Sequence, residues 1–346
     1  MAGTGSFSFV HGADLHLGGR RWLRSSPPNA SFGRLAQSAD RQAFQNLVAL
    51  CIQERARFLI LAGDVIDGWC RDFSVALRLA RDLEALSHSG CECLLLLGNH
   101  DARSRALGCL LLPQHAWALG LRGPETRLFA DVGVAIHGWS CPEVAAGQDV
   151  SSTYPAPLPG HFNLGVLHTS AEGVRGHAEY APCSRRALRQ KGYDYWALGH
   201  VHERTVLSEE PHVVFPGNLQ ARGPREMGAK GASLVRVDAG RVVSCEHRPL
   251  DVLRFATEVV DVTWVQGLQE LDRLLGARLL RAAEPARVLR LVLEGAPAAR
   301  LLLELSPHQR SAWLEGWKQR AGAYGTWLDE CWVDYETGGF ELCRAA

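Results

Sequence analysis

The sequence predicts an α/β protein in which two packed β-sheets carry helices on their outer sides and a smaller α/β unit follows. Three observations carry that expectation. Apolar runs alternate with amphipathic stretches over residues 1–100, strand-like runs dominate residues 163–247, and the pattern changes near residue 250. Alternating strands and helices favour a layered α/β architecture. The 346 residues suit one large and one smaller domain, expected at 1–250 and 251–346.

In chain order, a strand is expected near 6–11, then a long helix near 36–55 with Leu35, Ala39, Ala43, Leu47 and Leu50 on one side. A strand near 57–62, a helix near 73–87 and a strand near 92–98 complete a β-α-β-α-β start. The signal weakens between 102 and 160, where Val132 to Trp139 reads as a strand and the Pro-rich run from Tyr154 to Gly160 as a loop. Strands follow near 163–168, 194–199, 212–215, 232–237 and 241–247, with one helix near 183–191. This half reads as antiparallel. The final unit reads as a strand at 254–264, a helix at 266–282, a strand from Arg287 to Leu293, a helix from Ser306 and a strand near 327–335.

Composition excludes some classes. The hydrophobic content of 47% suffices for a packed core, and a formal net charge of zero gives no global field for nucleic acid. Basic charge is almost all Arg, with Lys191, Lys230 and Lys318 the only lysines. The N-terminus shows no secretory leader, and no apolar run approaches the roughly 18 residues a membrane span needs. Cys91 and Cys93 are the only close cysteine pair and no paired CxxC occurs, so the ten cysteines read as reduced and structural in a cytoplasmic protein.

Five of the short apolar runs end in residues able to bind metal: HGADLH after Phe7–Val10, AGDVID after Phe58–Leu61, GNHD after Leu94–Leu97, His168 after Leu164–Leu167, and GHVH after Trp196–Leu198. In layered α/β folds, ligands gather beyond the carboxyl ends of such strands. Seven side chains stand out: Asp14, His16, Asp64, Asn99, His168, His200 and His202. Two divalent ions about 3.5–4 Å apart can share a bridging carboxylate and a bridging hydroxide. Asp64, in a tight Gly63-Asp64 turn, is the natural bridge. Two such ions, two carboxylates and a hydroxide leave one net positive charge, which favours a phosphodiester anion. Mixed N/O donors without thiolate suit Mn, Fe, Co or Zn. His100 is placed to stabilise the pentavalent phosphorus or protonate the leaving oxygen, and Asp67 to orient His100. The remaining histidines (His88, His115, His137, His161, His212, His247 and His308) read as surface or structural, and His177 stays open.

The order DLH, GDVID, GNHD, His168 and GHVH resembles the calcineurin-like metallophosphoesterases. Within them, HGADLHLGG, LILAGDVIDG, LLLLGNHDA, GVLHTS, YDYWALGHVHER and FPGNLQARGPREMGAKG resemble the SbcD/YhaO-type DNA exonucleases over about residues 6–250. The resemblance implies a four-layer metallophosphoesterase fold, two β-sheets flanked by helices, with a small C-terminal α/β cap. It also implies a Mn-dependent nuclease in DNA repair, with Asp14, His16, Asp64 and His202 on one ion and Asp64, Asn99, His168 and His200 on the other. The phosphatase branches carry Arg directly after the second Asp of GDxxD, where this sequence has Gly68 and Trp69. That departure favours a longer substrate over a phosphoprotein.

DNA contacts are expected from Arg20, Arg21, Arg24, Arg103, Arg105, Arg222 and Arg225, with Arg71, Arg175 and Arg204 continuing the pattern. Trp22 and Trp69 could stack on bases, but packing inside the protein is the expectation for both. The expected partners are DNA and an SMC-like ATPase of the SbcC/YhaN type, with a homodimer left open and no membrane. In the family a helical tail beyond the cap docks on that ATPase; the sequence reaches Ala346 soon after the last expected cap strand, so either the tail is absent or the chain is truncated. The alternatives are a phosphodiesterase or phosphatase for small nucleotides, which Gly68 and the cap disfavour, and a non-catalytic DNA-end binder, which the complete ligand set disfavours.

Overall fold

The computed structural model of the chain describes residues 5–20, 27–140, 149–171, 180–334 and 340–341. It divides into two compact units. One comprises Met1–Gly19, Asp40–Gln220 and Lys230–Leu250, and the other Arg20–Ala39, Ala221–Ala229 and Asp251–Ala346.

The elements begin with β1 (Phe7–Gly12), α1 (Ala30–Gln53), β2 (Phe58–Ala62), α2 (Ser74–Glu84), β3 (Glu92–Leu96), β4 (Ala116–Ala118), β5 (Glu125–Phe129) and β6 (Val134–Gly138). They continue with β7 (Phe162–His168), α3 (Arg185–Gln190), β8 (Tyr195–Gly199), β9 (Thr205–Glu209), β10 (His212–Phe215), β11 (Gly231–Asp238) and β12 (Arg241–Pro249). In the first unit one six-stranded sheet runs β12-β11-β1-β2-β3-β4 and a second runs β5-β6-β7-β8-β10-β9.

Both sheets are mixed. β1 to β4 are mutually parallel and β11 pairs antiparallel with β1. β6, β7, β8 and β10 are likewise parallel, with β5 and β9 antiparallel at the edges. The expected antiparallel second half is therefore corrected. The β7 and β8 runs are continuously apolar, as strands of a parallel sheet covered on both faces are. Their crossover carries the helix expected near 183–191, observed as the six-residue α3, but one short helix among so many strands did not by itself signal a parallel pair. β4, β5 and β9 escaped notice because they are short or half exposed.

Alternation along each strand sorts side chains between layers. Phe58, Ile60, Ala62, Leu94 and Leu96 of one sheet meet Leu164, Val166, Tyr195 and Ala197 of the other. The intervening Leu59, Leu61, Cys93 and Leu95 pack under Ala43, Phe44 and Leu47 of α1 and Val75 and Leu79 of α2. Leu167, Trp196 and Leu198 pack outward against Leu188 of α3. The result is the expected four-layer architecture, two packed sheets with helices on their outer faces. α1 starts six residues before its expected position because Asn29 caps it, its Oδ1 accepting from the Phe32 N–H at 2.9 Å.

The second unit adds β13 (Leu253–Asp261), α4 (Leu268–Leu279), β14 (Ala286–Glu294), α5 (Ala296–Glu304), α6 (Pro307–Gly322), β15 (Thr326–Asp334) and β16 (Phe340–Glu341). Its sheet runs β13-β14-β15-β16, with the first three strands parallel. Leu271, Leu275 and Leu279 of α4 and Trp317 of α6 cover one face. Phe32, Ala36 and Ala39 pack with Phe255, Val288 and Trp327 on the other. α6 opens with a Ser306–Gln309 capping box, and α5 was missed in the sequence. Among the described residues, no helix is long and apolar enough to cross a membrane. The eight described cysteines are free thiols, six of them buried.

Candidate metal centre

Because β3, β2 and β1 are adjacent and parallel, as are β7 and β8, their carboxyl ends open on common edges. The polar residues that follow them converge. The segment after β1 is laid along the turn after β2: Asp14 N–H donates to Gly63 O at 3.0 Å and His16 N–H to Asp64 O at 2.9 Å. The two sheets are tied by His168 Nδ1, which lies 2.9 Å from Ala62 O. His200 N–H donates to the Asp14 carboxylate at 3.0 Å.

Six of the converging side chains are nearly inaccessible: Asp14, His16, Asp64, Asp67, His168 and His200. Candidate donor atoms gather in three groups, Asp14–His16–His202, Asp64–His168–His200 and His16–Asp67–His100, each with all of its atoms within 4.8 Å of one another. His16 Nε2 and His202 Nε2 are 3.1 Å apart, and His168 Nε2 is 3.2 Å from Asn99 Oδ1. Asp64 Oδ2 faces both sides, 3.7 Å from His16 Nε2 and 3.4 Å from His168 Nε2. Asp64 Oδ1 accepts the His100 N–H at 2.8 Å. Asp67 Oδ2 sits 3.4 Å from His16 Nδ1 and 3.6 Å from His100 Nδ1.

Electrostatics follow from crowding acids and imidazoles in a space closed to water. Burial lifts the Asp14 carboxyl to about 6, against the pull of His168 and His202. Burial also works against ionised Asp64, yet His168, His16 and His100 hold its carboxyl well below the usual range. His168 is raised to about 9: burial opposes its charge, but Asp64 and Asp14 outweigh it. Since Nδ1 is engaged by Ala62 O, the atom His168 turns toward Asp64 is Nε2. This donor chemistry of buried carboxylates against imidazoles, without thiolate, fits divalent metal.

The turns that build the site are strained. Asp14, His16, Asp64 and His200 have φ of 52°, 45°, 53° and 102°, a region non-glycine residues rarely adopt. Gly98 is required by close approach, because a Cβ there would lie 2.3 Å from Asp64 Oδ1.

All nine residues proposed for metal and catalysis, Asp14, His16, Asp64, Asp67, Asn99, His100, His168, His200 and His202, thus meet in one place. Three further residues belong there. Asp101, the last residue of GNHD, is buried and accepts the N–H groups of Val65, Ile66 and Gly98 at 3.1, 2.8 and 2.9 Å. The motif's fixed acidic end was the available signal. The Tyr180 ring lies 5.6 Å from His168 and 5.8 Å from His200, and nothing in the sequence marks it. Lys230 Nζ donates to His202 O at 3.0 Å.

The arginines are dispersed. Arg103 and Arg105 are exposed in the unit that carries the centre. Arg20 and Arg225 are exposed, and Arg222 half-buried, in the second unit. Arg21, Arg24, Arg175, Trp22 and His177 lie outside the described residues. The expectation that Trp69 packs inside the protein is corrected: it is 80% exposed, because its neighbours Asp67 and Cys70 take the inward positions of the turn.

Residues 7–204 match the calcineurin-like phosphoesterase family. The metallophosphoesterase YhaO of Bacillus subtilis (strain 168) is 32% identical over 320 residues, 90% of this chain and 78% of that protein. The DNA double-strand break repair protein Mre11 of Methanopyrus kandleri is 27% identical over 291 residues, 76% of this chain and 61% of that protein. A dimetal phosphatase from Danio rerio aligns at a TM-score of 0.41 and 13% identity, over 67% of this chain and 93% of that one. The chain belongs to the calcineurin-like phosphoesterase family, whose members use a dinuclear metal site. It is a metal-dependent phosphoesterase of the branch that includes the YhaO and Mre11 relatives.

Proposed function

We propose that the chain is a DNA nuclease acting in repair. Two divalent cations, Mn2+ first among them, would be held by Asp14, His16, Asp64 and His202 on one side and by Asp64, Asn99, His168 and His200 on the other. Support for a shared ligand comes from Asp64 Oδ2, which faces His16 and His168 at 3.7 and 3.4 Å. When bound, such a pair neutralises charge on the phosphodiester and lowers the pKa of water. The protein's own residues do the rest. Asp64 Oδ1 fixes the His100 backbone, and the Asp67 carboxylate turns the His100 ring toward the leaving oxygen, to which His100 delivers a proton. His168 is held by Ala62 O and His200 by its backbone bond to Asp14, so neither must reorganise during the reaction.

The observation that carries the polymer over a monoester is Gly68. A Cβ at this position would lie 3.1 Å from His100 O and 3.3 Å from Arg103 Cβ. Gly68 itself offers no side chain to grip a terminal phosphate, whereas Arg71, Arg103 and Arg105 are exposed beside the loops, where a longer backbone would pass. The likeness to a protein named for double-strand break repair supports the same reading. It extends to a cytoplasmic location and to an SMC-like ATPase as partner.

The deciding assay offers purified protein with Mn2+ a labelled DNA and, separately, a panel of nucleotide monoesters. Hydrolysis of DNA, lost in Asp64→Ala, is the expected result. Turnover of the monoesters alone would make the small-nucleotide phosphatase the better reading.

A further inference from the structure

Trp69 is the most exposed large hydrophobic side chain among the described residues, at 80%, and it stands two residues from Asp67. Phe73 and Leu77 follow at 51% and 58% exposed. An indole left in water beside a buried polar centre has no packing role to explain it.

The backbone around Trp69 is held by the catalytic residues themselves. Trp69 N–H donates to Asp67 Oδ1 at 3.0 Å, and Gly68 N lies 3.4 Å from His100 Nδ1. Cys70 N–H donates to Asp67 O at 2.9 Å, and its side chain is buried. One carboxylate therefore orients His100 through Oδ2 and fixes Trp69 through Oδ1. Gly68 lies flush against the His100–Arg103 turn, with Arg103 Cβ 3.3 Å from the point where a side chain on Gly68 would start. An exposed indole and an exposed arginine thus stem from two backbone segments that meet at Gly68, beside His100. An aromatic face for a base next to a cation for a phosphate is how proteins hold unpaired nucleotides.

We infer that Trp69 is a base-stacking subsite for the nucleotide on the leaving side of the cleaved bond, so that the substrate is unpaired there. The inference rests on the nuclease reading above and adds a specificity to it: a base is sensed through its stacking face rather than through hydrogen bonds to its edges. Stacking is sequence-tolerant because every base has a π face. Purines, with the larger face, should be favoured over pyrimidines, and an abasic leaving nucleotide disfavoured.

The test uses the full chain with Mn2+ and short single-stranded oligonucleotides whose leaving nucleotide is a purine or abasic. The wild type should show a KM for the abasic substrate raised on the order of 10- to 100-fold over the purine substrate, the range expected for one stacked base. Trp69→Ala should collapse that ratio to about two-fold, and Trp69→Phe should restore most of it. Separately, a phosphorothioate oligonucleotide should quench tryptophan fluorescence in the wild type and less in Trp69→Phe. An abasic-to-purine ratio unchanged in Trp69→Ala, with DNA still cleaved, would overturn the subsite and leave the nuclease reading standing. Quenching that depends on Trp69, in a protein that cleaves no oligonucleotide, would keep the subsite and overturn the nuclease.

Discussion

Replacing Asp101 by Asn removes one charge and one acceptor from a residue that touches no substrate. In the native protein Asp101 Oδ2 takes the N–H groups of Val65 and Gly98, and Oδ1 takes that of Ile66. An Asn side chain has one oxygen. If it serves Val65 and Gly98, its NH2 faces the Ile66 N–H, donor against donor, at a site 1% exposed. An unmatched buried donor costs about 1–3 kcal/mol. For a unit of this size that is a fall in Tm of roughly 2–4 °C per kcal/mol, or about 4–8 °C for a mid-range value. Asp101→Ala leaves all three donors unmatched and should fall about three times as far. The chemistry should suffer as well, because the Val65 and Ile66 donors tie the turn carrying Asp64 to the loop carrying His100. Metal affinity should drop by about 10–100-fold, as when other residues that orient ligands are removed. Circular dichroism melts in chelator, a Mn2+ titration and the rate on a small aryl phosphodiester measure the three effects. An Asp101→Asn protein that melts within a degree of wild type and binds Mn2+ equally would refute the reasoning.

Other outcomes follow from the same geometry. His100→Ala should keep its metal while the rate falls on the order of 10²–10⁴-fold, as for a lost general acid; elemental analysis finding an ion gone would make His100 a ligand. His11, fully buried against Tyr195 Oη and Leu198 O, is held down to about 3 by burial, against the upward pull of its bond to Leu198. Its folded pKa lies below the unfolded value of 6.5, so the neutral ring contributes stability fully above pH 6.5, lost progressively as pH falls toward 3. The loss can reach about 5 kcal/mol. Chemical denaturation between pH 7 and 4 should show that slope in the wild type and a shallower one in His11→Gln. Arg103→Gln with Arg105→Gln should weaken DNA cleavage and reduce the salt slope by about one unit per lost phosphate contact, sparing a small ester; equal loss on both substrates would mean the arginines support the fold.

The residues gathered at the centre were legible because each closes a short apolar run, and buried parallel strands deliver whatever follows them to one edge. Asp64 and His168 are 104 positions apart in the chain, yet each is placed by its own strand end. The role of Asp101 was not legible, since it consists of backbone donors from Val65 and Ile66 that no pattern encodes. Nor was the parallel pairing of β7 and β8, although the short crossover helix between them was expected, because the strands around it outnumber it. The exposure of Trp69 runs against composition, where a tryptophan between a buried aspartate and a buried cysteine reads as core. β5 and β9 failed as signals because an edge strand needs little apolar content.

The left-handed backbone at Asp14, His16, Asp64 and His200 sets protein engineering against function. Each L-residue held there forfeits roughly 1–2 kcal/mol that glycine would recover. Random libraries selected only for heat resistance in chelator should therefore drift toward glycine at His16 and His200, while Asp14 and Asp64 are held by the His200 and His100 N–H groups they accept. The winners of such a selection would fold better and hydrolyse nothing, and their substitution pattern would map the metal centre without a catalytic assay.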